Sequence, residues 1–163
     1  MSQGRITKSK DGRLDRYRLR WNDVKYQPGT LRVVVYDENG KVAGEKVVRT
    51  AGKAHALQLI PETQSDMTKV GDLLYIQVNL VDENGTMIPD ADDALTFEVE
   101  GAGKFHAVCN GDATSLEPFT QPQMQLFHGQ LVLIVKATSK GNIVIKTYDK
   151  KRNMTAETRL GVR

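Results

Sequence analysis

The stretch Leu74-Tyr75-Ile76-Gln77-Val78-Asn79-Leu80-Val81-Asp82-Glu83-Asn84-Gly85 decides the fold. Leu74, Ile76, Val78 and Leu80 share one parity, with Tyr75, Gln77 and Asn79 on the other. A period of two puts alternate side chains on opposite faces of a β-strand. Asp82-Glu83-Asn84-Gly85 then ends the run on Asn-Gly, the strongest short hairpin signal, because a type I′ turn needs φ > 0 at both central positions. The same turn stands earlier in the chain, where Leu31 to Tyr36 runs into Asp37-Glu38-Asn39-Gly40 and Lys41 to Arg49 continues as a strand.

Outward from this stretch the alternation persists. Ala54 to Ile60 alternates weakly, while Leu95, Phe97 and Val99 alternate with Thr96, Glu98 and Glu100 until Gly101-Ala102-Gly103. Lys104 to Cys109 reads as a short strand stopped by Asn110-Gly111-Asp112, and residues 113 to 124, with Pro118 and Pro122, read as a long loop. Gln130 to Thr138 and Ile143 to Tyr148 flank the turn Lys140-Gly141-Asn142. In the last strand, Thr155 to Val162, Ala156, Thr158, Leu160 and Val162 share a parity. No window keeps a period of 3.6 for the ten or so residues that a helix needs.

Seven short strands from about residue 54 onward predict an all-β, antiparallel immunoglobulin-like β-sandwich. Residues 1–52 supply only three or four strands, and Tyr17, Leu19 and Trp21 there alternate with Arg16, Arg18 and Arg20. Three strands with one apolar face cannot close a sandwich of their own. The expected organisation is therefore a truncated β-sandwich over 1–52, followed by a complete sandwich over 53–163. Charge divides at the same place. Through Lys53 there are 13 basic and 6 acidic residues, and from Ala54 there are 10 and 14, so +7 and −4 return the total of +3.

The chain has 163 residues, 39% of them apolar and 26% charged, enough for one domain or two small ones. No stretch reaches the ~20 apolar residues of a membrane-spanning helix. One cysteine excludes an internal disulfide and a cysteine-based zinc cage. His55, His106 and His128 form no H-x-x-x-H or H-x-H pair, and they read as surface or edge residues. Asp82, Asp90, Asp92 and Asp93 lack the spacing that wraps a loop around calcium, so they read as solvated turns. Cys109 and His106 are three residues apart, on opposite faces of a regular strand, which makes Cys109 a buried, inert thiol rather than a nucleophile. No Walker loop, G-x-S-x-G or G-x-G-x-x-G is present.

The run from Arg5 to Arg20 holds seven Lys/Arg and two Asp, but alternating Arg also keeps an exposed strand face soluble, so no nucleic-acid partner is expected. Tyr17, Trp21 and Tyr26 are the possible sugar-facing aromatics, although Trp21 ends an apolar stripe and so reads as core. The loop candidates for contact are Asn110, Gly111, Asp112, Glu117 and Phe119, since polar loops on a rigid sandwich commonly carry function. Their bland alternative is a tight turn whose side chains cap nearby backbone. Asn84-Gly85-Thr86 and Asn153-Met154-Thr155 match the N-glycosylation pattern, which is short enough to arise by chance.

Several phrases together resemble one family. Arg18-Leu-Arg-Trp-Asn-Asp-Val-Lys-Tyr-Gln-Pro-Gly-Thr-Leu31, then Val33-Val-Val-Tyr-Asp-Glu-Asn-Gly-Lys41 and Arg49-Thr-Ala-Gly52, resemble the end of a fibronectin-type sandwich in glycoside hydrolase family 2. Leu80-Val-Asp-Glu-Asn-Gly-Thr-Met-Ile-Pro-Asp-Ala-Asp92, Phe97-Glu-Val-Glu-Gly-Ala-Gly103 and Asn110-Gly-Asp-Ala-Thr-Ser-Leu-Glu117 resemble the immunoglobulin-like module that closes the β-galactosidases of that family. The second module alone is also similar to invasin and intimin adhesin repeats.

The resemblance implies a parent that hydrolyses terminal β-galactosides with retention, using two carboxylates roughly 5 Å apart on a TIM barrel. Neither is carried over: the family's acid/base lies in an Asn-Glu dipeptide, and no Asn here is followed by Glu. A barrel takes about 250 residues. The expectation is a non-catalytic, scaffolding tail without cofactor or metal, periplasmic or at the surface of a Gram-negative bacterium. Its partners would be other domains of the parent hydrolase. The alternatives are a carbohydrate-binding accessory module and an adhesin repeat. The resemblance further implies that early strands of the first sandwich are missing, leaving a face with Tyr17, Leu19, Trp21, Val33 and Val35 partly uncovered and open to self-association, strand exchange or docking onto the second module.

Overall fold

The computed structural model describes Gly4, Tyr17 and residues 20–22, 24–62 and 68–163. Among the described residues there are ten strands and no helix. They fall into two compact units, Met1–Arg49 and Thr50–Arg163.

The first unit is a hairpin of β1 (Thr30–Tyr36) and β2 (Val42–Arg49), with Leu31 opposite Val48 and Val33 opposite Lys46. On one face Leu31, Val35 and Val48 each remain more than half exposed. The other face carries Arg32, whose Nε and Nη2 each donate to a Glu45 carboxylate oxygen at 2.8 Å. Two of the three or four strands expected here are thus seen. Arg16, Arg18 and Leu19 lie outside the described residues, while Tyr17 sits in a turn and Arg20 and Trp21 belong to no strand. The expectation that Trp21 is core is corrected: it is 38% exposed, and its Nε1 donates to the Gly4 carbonyl at 3.2 Å. An indole with a backbone acceptor for its N–H is stable at a half-wet position.

The second unit contains β3 (Ala56–Pro61), β4 (Leu73–Val81), β5 (Ala94–Gly101), β6 (Gly103–Cys109), β7 (Gln123–Gln125), β8 (Gln130–Ala137), β9 (Gly141–Asp149) and β10 (Met154–Val162). One sheet runs β3-β4-β8-β6 and the other β10-β9-β5-β7. Apart from β7, this is the strand order of a constant-type immunoglobulin sandwich, four strands against three. Alternation places Leu74, Ile76, Val78 and Leu80 of β4 in the interior, beside Leu131, Leu133 and Val135 of β8. Leu95 and Phe97 of β5, Ile143 and Ile145 of β9, and Leu160 and Val162 of β10 close the core from the opposite sheet. Each fully buried aliphatic side chain contributes roughly 2 kcal/mol of transfer free energy before entropy is counted.

Four local expectations change. The stretch read as loop through residue 124 ends in a strand: β7 pairs Met124 with Leu95 of β5, burying Met124 despite the preceding prolines. The bulge between Phe105 and Ala107 in β6 inserts His106 as an extra residue, so the parity argument separating it from Cys109 does not hold. Cys109 itself is half-buried, because its register partner Val132 lies on the outward parity of β8. Finally, neither Asn-Gly turn is type I′. Only the glycines Gly40 (φ 77°) and Gly85 (φ 75°) are left-handed, and Asn39 and Asn84 are not. Both turns share one geometry, a type I turn with a glycine bulge: Gly40 N–H donates to Asp37 O at 3.1 Å and Gly85 N–H to Asp82 O at 3.0 Å. In each, the leading aspartate turns its Oδ1 back to accept two backbone N–H groups, from Asn39 and Lys41 or from Asn84 and Thr86.

The buried Gly129 joins the two ends of the β4–β5 connection: its N–H donates to Ala91 O and its carbonyl accepts from Leu80 N–H, each at 3.0 Å. Its φ is +79°, and a Cβ there would run into the Ile88 carbonyl. Gly111 has the same backbone (φ +80°) with open space around it. Gly111→Ala should therefore cost about 1 kcal/mol, the left-handed penalty alone, and Gly129→Ala at least about 2 kcal/mol more. Urea unfolding of the two variants measures the difference directly.

Candidate functional site

The loop between β6 and β7 collects the residues singled out from sequence. Asn110 Oδ1 accepts the Asp112 N–H at 3.0 Å, and Asp112 Oδ1 accepts both the backbone N–H of Thr114 at 2.8 Å and its hydroxyl at 2.7 Å. These bonds, the hydroxyl first, hold the Asp112 carboxyl below the usual range. Asn110 Nδ2 donates to the Gln125 carbonyl at 3.0 Å, and the Glu117 carboxylate accepts the Gln125 N–H at 3.2 Å. Both side chains therefore bond the same residue of β7, which fastens this edge strand to the loop. Phe119 stays 56% exposed while its carbonyl accepts the Val108 N–H. The hydroxyls of Thr114 and Ser115 donate to Asp112 at 2.7 Å and to Glu117 at 3.4 Å, while Asp112 and Ser115 also accept backbone N–H groups of the loop, the geometry of a capped turn. Tyr17 and Tyr26 are 78% and 76% exposed and lie with Trp21 in the first unit.

Sequence reasoning missed two other features. One is a buried ionic corner. Asp93, just before β5, and Asp149, at the end of β9, are both almost fully buried, against the expectation that the Asp-rich run is solvated. Arg152, on the β9–β10 turn, donates through Nε and Nη2 to Asp93 Oδ2 at 3.0 and 2.9 Å, and its backbone N–H donates to Asp149 Oδ1 at 3.1 Å. Lys151 Nζ lies 3.0 Å from Asp93 Oδ1 and 3.2 Å from the exposed Asp92. Burial opposes the charge on Asp93, but the bonds and charges of Lys151 and Arg152 outweigh it and hold the carboxyl low. Asp82 was expected in the same solvated class and is also buried. Its second oxygen accepts the Gly52 N–H at 2.8 Å, the main cause of its lowered pKa, with the Thr86 N–H next.

The other feature is an open, mixed-polarity depression of about 340 Å³ on the outward face of β5, β9 and β10. Tyr148 forms its centre, in register with Thr96 on one side and Thr155 on the other. The phenol donates to Glu98 Oε2 at 3.1 Å. Partial burial, then the Glu98 bond and charge, push the phenol above its usual pKa. Lys150 and Asn153 line the rim, and Asn153 holds a left-handed backbone (φ 53°). Beside it, Lys146 Nζ contacts both Glu100 oxygens at 3.3 Å, and that pairing raises its pKa. Among the described residues no three His, Cys, Asp or Glu side chains group as a metal site.

Two predictions follow from these hydrogen-bonded carboxylates. With folded pKa values below the ordinary ~3.9, Asp82, Asp93 and Asp112 stay charged in the fold while the unfolded chain takes up protons first. Stability should therefore be level above about pH 5 and fall as the pH drops through about 4, with a shallower fall in Asp93→Asn, read as urea midpoints at pH 7 and pH 3. Arg152→Met leaves Asp93 buried with only Lys151, and should cost about 2 kcal/mol, a figure discounted because the guanidinium is partly exposed.

Comparison with known proteins places the chain. The model of the glycoside hydrolase family 2 C-terminal domain 5 matches residues 57–156, and a domain of unknown function (DUF4982) matches residues 1–44. The chain is 38% identical over 140 residues to the β-galactosidase BoGH2A of Bacteroides ovatus, covering 85% of this chain and 16% of that protein. It is 30% identical over 109 residues to a β-galactosidase of Thermoanaerobacter pseudethanolicus, covering 66% of this chain and 13% of that protein. The crystal structure of a glycosyl hydrolase family 2 member from Bacteroides cellulosilyticus superposes with a TM-score of 0.78 at 26% identity, over 86% of this chain and 18% of that one. The chain thus spans under a fifth of each of these relatives, and it belongs to glycoside hydrolase family 2, as a representative of that family's C-terminal domain 5.

Proposed function

We propose that the chain is a non-catalytic C-terminal region of a β-galactosidase, bracing the catalytic part of a longer polypeptide. The observation that carries this is the 38% identity to a β-galactosidase over 85% of this chain but only 16% of that protein. The geometry supports the same role. The sandwich buries the inward aliphatic rows of its strands, and Asn110, Asp112 and Glu117 bond within their own loop or to the adjoining β7. Leu31, Val35 and Val48 form the exposed apolar face of the β1–β2 hairpin, a surface suited to cover by another domain of the parent. In the absence of such a domain, that face favours self-association. The parent is proposed to act on terminal β-galactosides in the periplasm or at the cell surface of a Gram-negative bacterium.

Incubation of the purified chain with p-nitrophenyl β-galactoside should give no hydrolysis above background. Hydrolysis that tracks the protein through purification overturns the scaffold reading. In sedimentation velocity the chain should show concentration-dependent association, and Leu31→Lys with Val48→Lys should shift it to monomer. A wild-type chain that stays monomeric at high concentration removes the hairpin face from the proposal.

A further inference from the structure

We propose that the depression centred on Tyr148 is a binding subsite for a neutral, hydroxyl-rich ligand the size of about one hexose unit. It does not depend on the scaffold assignment, since an inert region can carry such a subsite or lack it. The floor is built of in-register neighbours on three strands, Thr96, Tyr148 and Thr155, so its side chains are held by the sheet rather than by a loop. A Tyr ring offers a flat surface to stack on, with a polar edge. The Tyr148 hydroxyl spends its proton on Glu98 Oε2 and keeps lone pairs for accepting. Glu98 Oε1 has no partner among the described residues and is free to accept. Asn153 and Lys150 on the rim supply donors. A sugar hydroxyl both donates and accepts, and it matches this mixed set; a bare anion meets Glu98, and a bare cation meets Lys150.

The depression is open rather than enclosed, and its volume of about 340 Å³ has room for about one ring. The support underneath is rigid. Asp149 lines the depression while its Oδ1 fixes the β9–β10 turn through the Arg152 N–H, and Arg152 is in turn clamped by Asp93. The backbone that carries the rim residues is therefore fixed before a ligand arrives. Tyr17, Trp21 and Tyr26 are not among the residues that line the depression.

The test is a 1H–15N NMR titration of the full chain with methyl β-galactoside, sodium glucuronate and choline chloride in parallel. Expected are shifts confined to Thr96, Glu98, Tyr148, Lys150, Asn153 and Thr155, with a Kd on the order of millimolar for the neutral glycoside only. Glu98→Gln and Tyr148→Ala should each weaken binding at least about tenfold, and Trp21→Ala should leave it unchanged. Glu98 is exposed, so Glu98→Gln keeps the fold and stands as the decisive variant if Tyr148→Ala is unstable. The proposal is overturned by an absence of shifts up to about 100 mM, by shifts centred elsewhere, by tighter binding of glucuronate or choline, or by undiminished binding in Glu98→Gln.

Discussion

Everything in the second unit depends on two sheets meeting through apolar side chains with no covalent tie between them. The chain has one cysteine, on an edge strand, so no cystine pins β4 to β9 as it does in antibody domains. Each sheet must then keep its own inward row, Leu74 to Leu80 in one and Ile143 to Ile145 in the other, in register by hydrogen bonding at the strand ends. Buried carboxylates do that. Asp82 ties the end of β4 to its own turn and to Gly52, ahead of β3. Asp93 and Asp149, joined by Arg152, tie the start of β5 to the end of β9. A slip of one residue would move an entire aliphatic row to the solvent face, so these corner bonds specify register as much as they stabilise it.

The twin turns show how position changes the meaning of one motif. Asp37 and Asp82 make the same pair of Oδ1 contacts in the same glycine-bulge turn. Asp37 is exposed at the tip of a two-stranded hairpin, whereas Asp82 is buried and gains a third bond from a residue 30 positions away. Identical local chemistry thus serves as a loop cap in one unit and as a structural lock in the other.

Period-two alternation made the sandwich legible, because strands with one buried face write their orientation into parity. Leu74 to Leu80 and Leu95 to Val99 needed nothing else. What depends on long-range pairing was not legible. Three residues of β7 after a proline carry no strand signal of their own and exist because Leu95 and Met124 pair. The His106 bulge shows only once β6 is laid against β8. Asp93 and Arg152 are 59 positions apart, and Glu98 and Tyr148 are 50 apart, so neither pair leaves a local pattern. The family was legible because whole turn phrases, from Leu80 to Asp92 and from Asn110 to Glu117, are specific in a way that single residues are not. The loop chosen as a candidate from polarity proved to be self-capped; the open polar groups lie on a strand face instead.

The central claim is that the two sheets of the second unit, each locked at its strand ends, form one cooperative sandwich. Native-state hydrogen exchange tests it most directly. The account predicts that amides of β4, β5, β8 and β9 exchange together, only through global unfolding of the second unit, while β1 and β2 exchange in a separate and easier event. Fast, independent exchange of β5 and β9 with β4 and β8 still protected would contradict it, because the shared apolar core would then not be holding the two sheets as one.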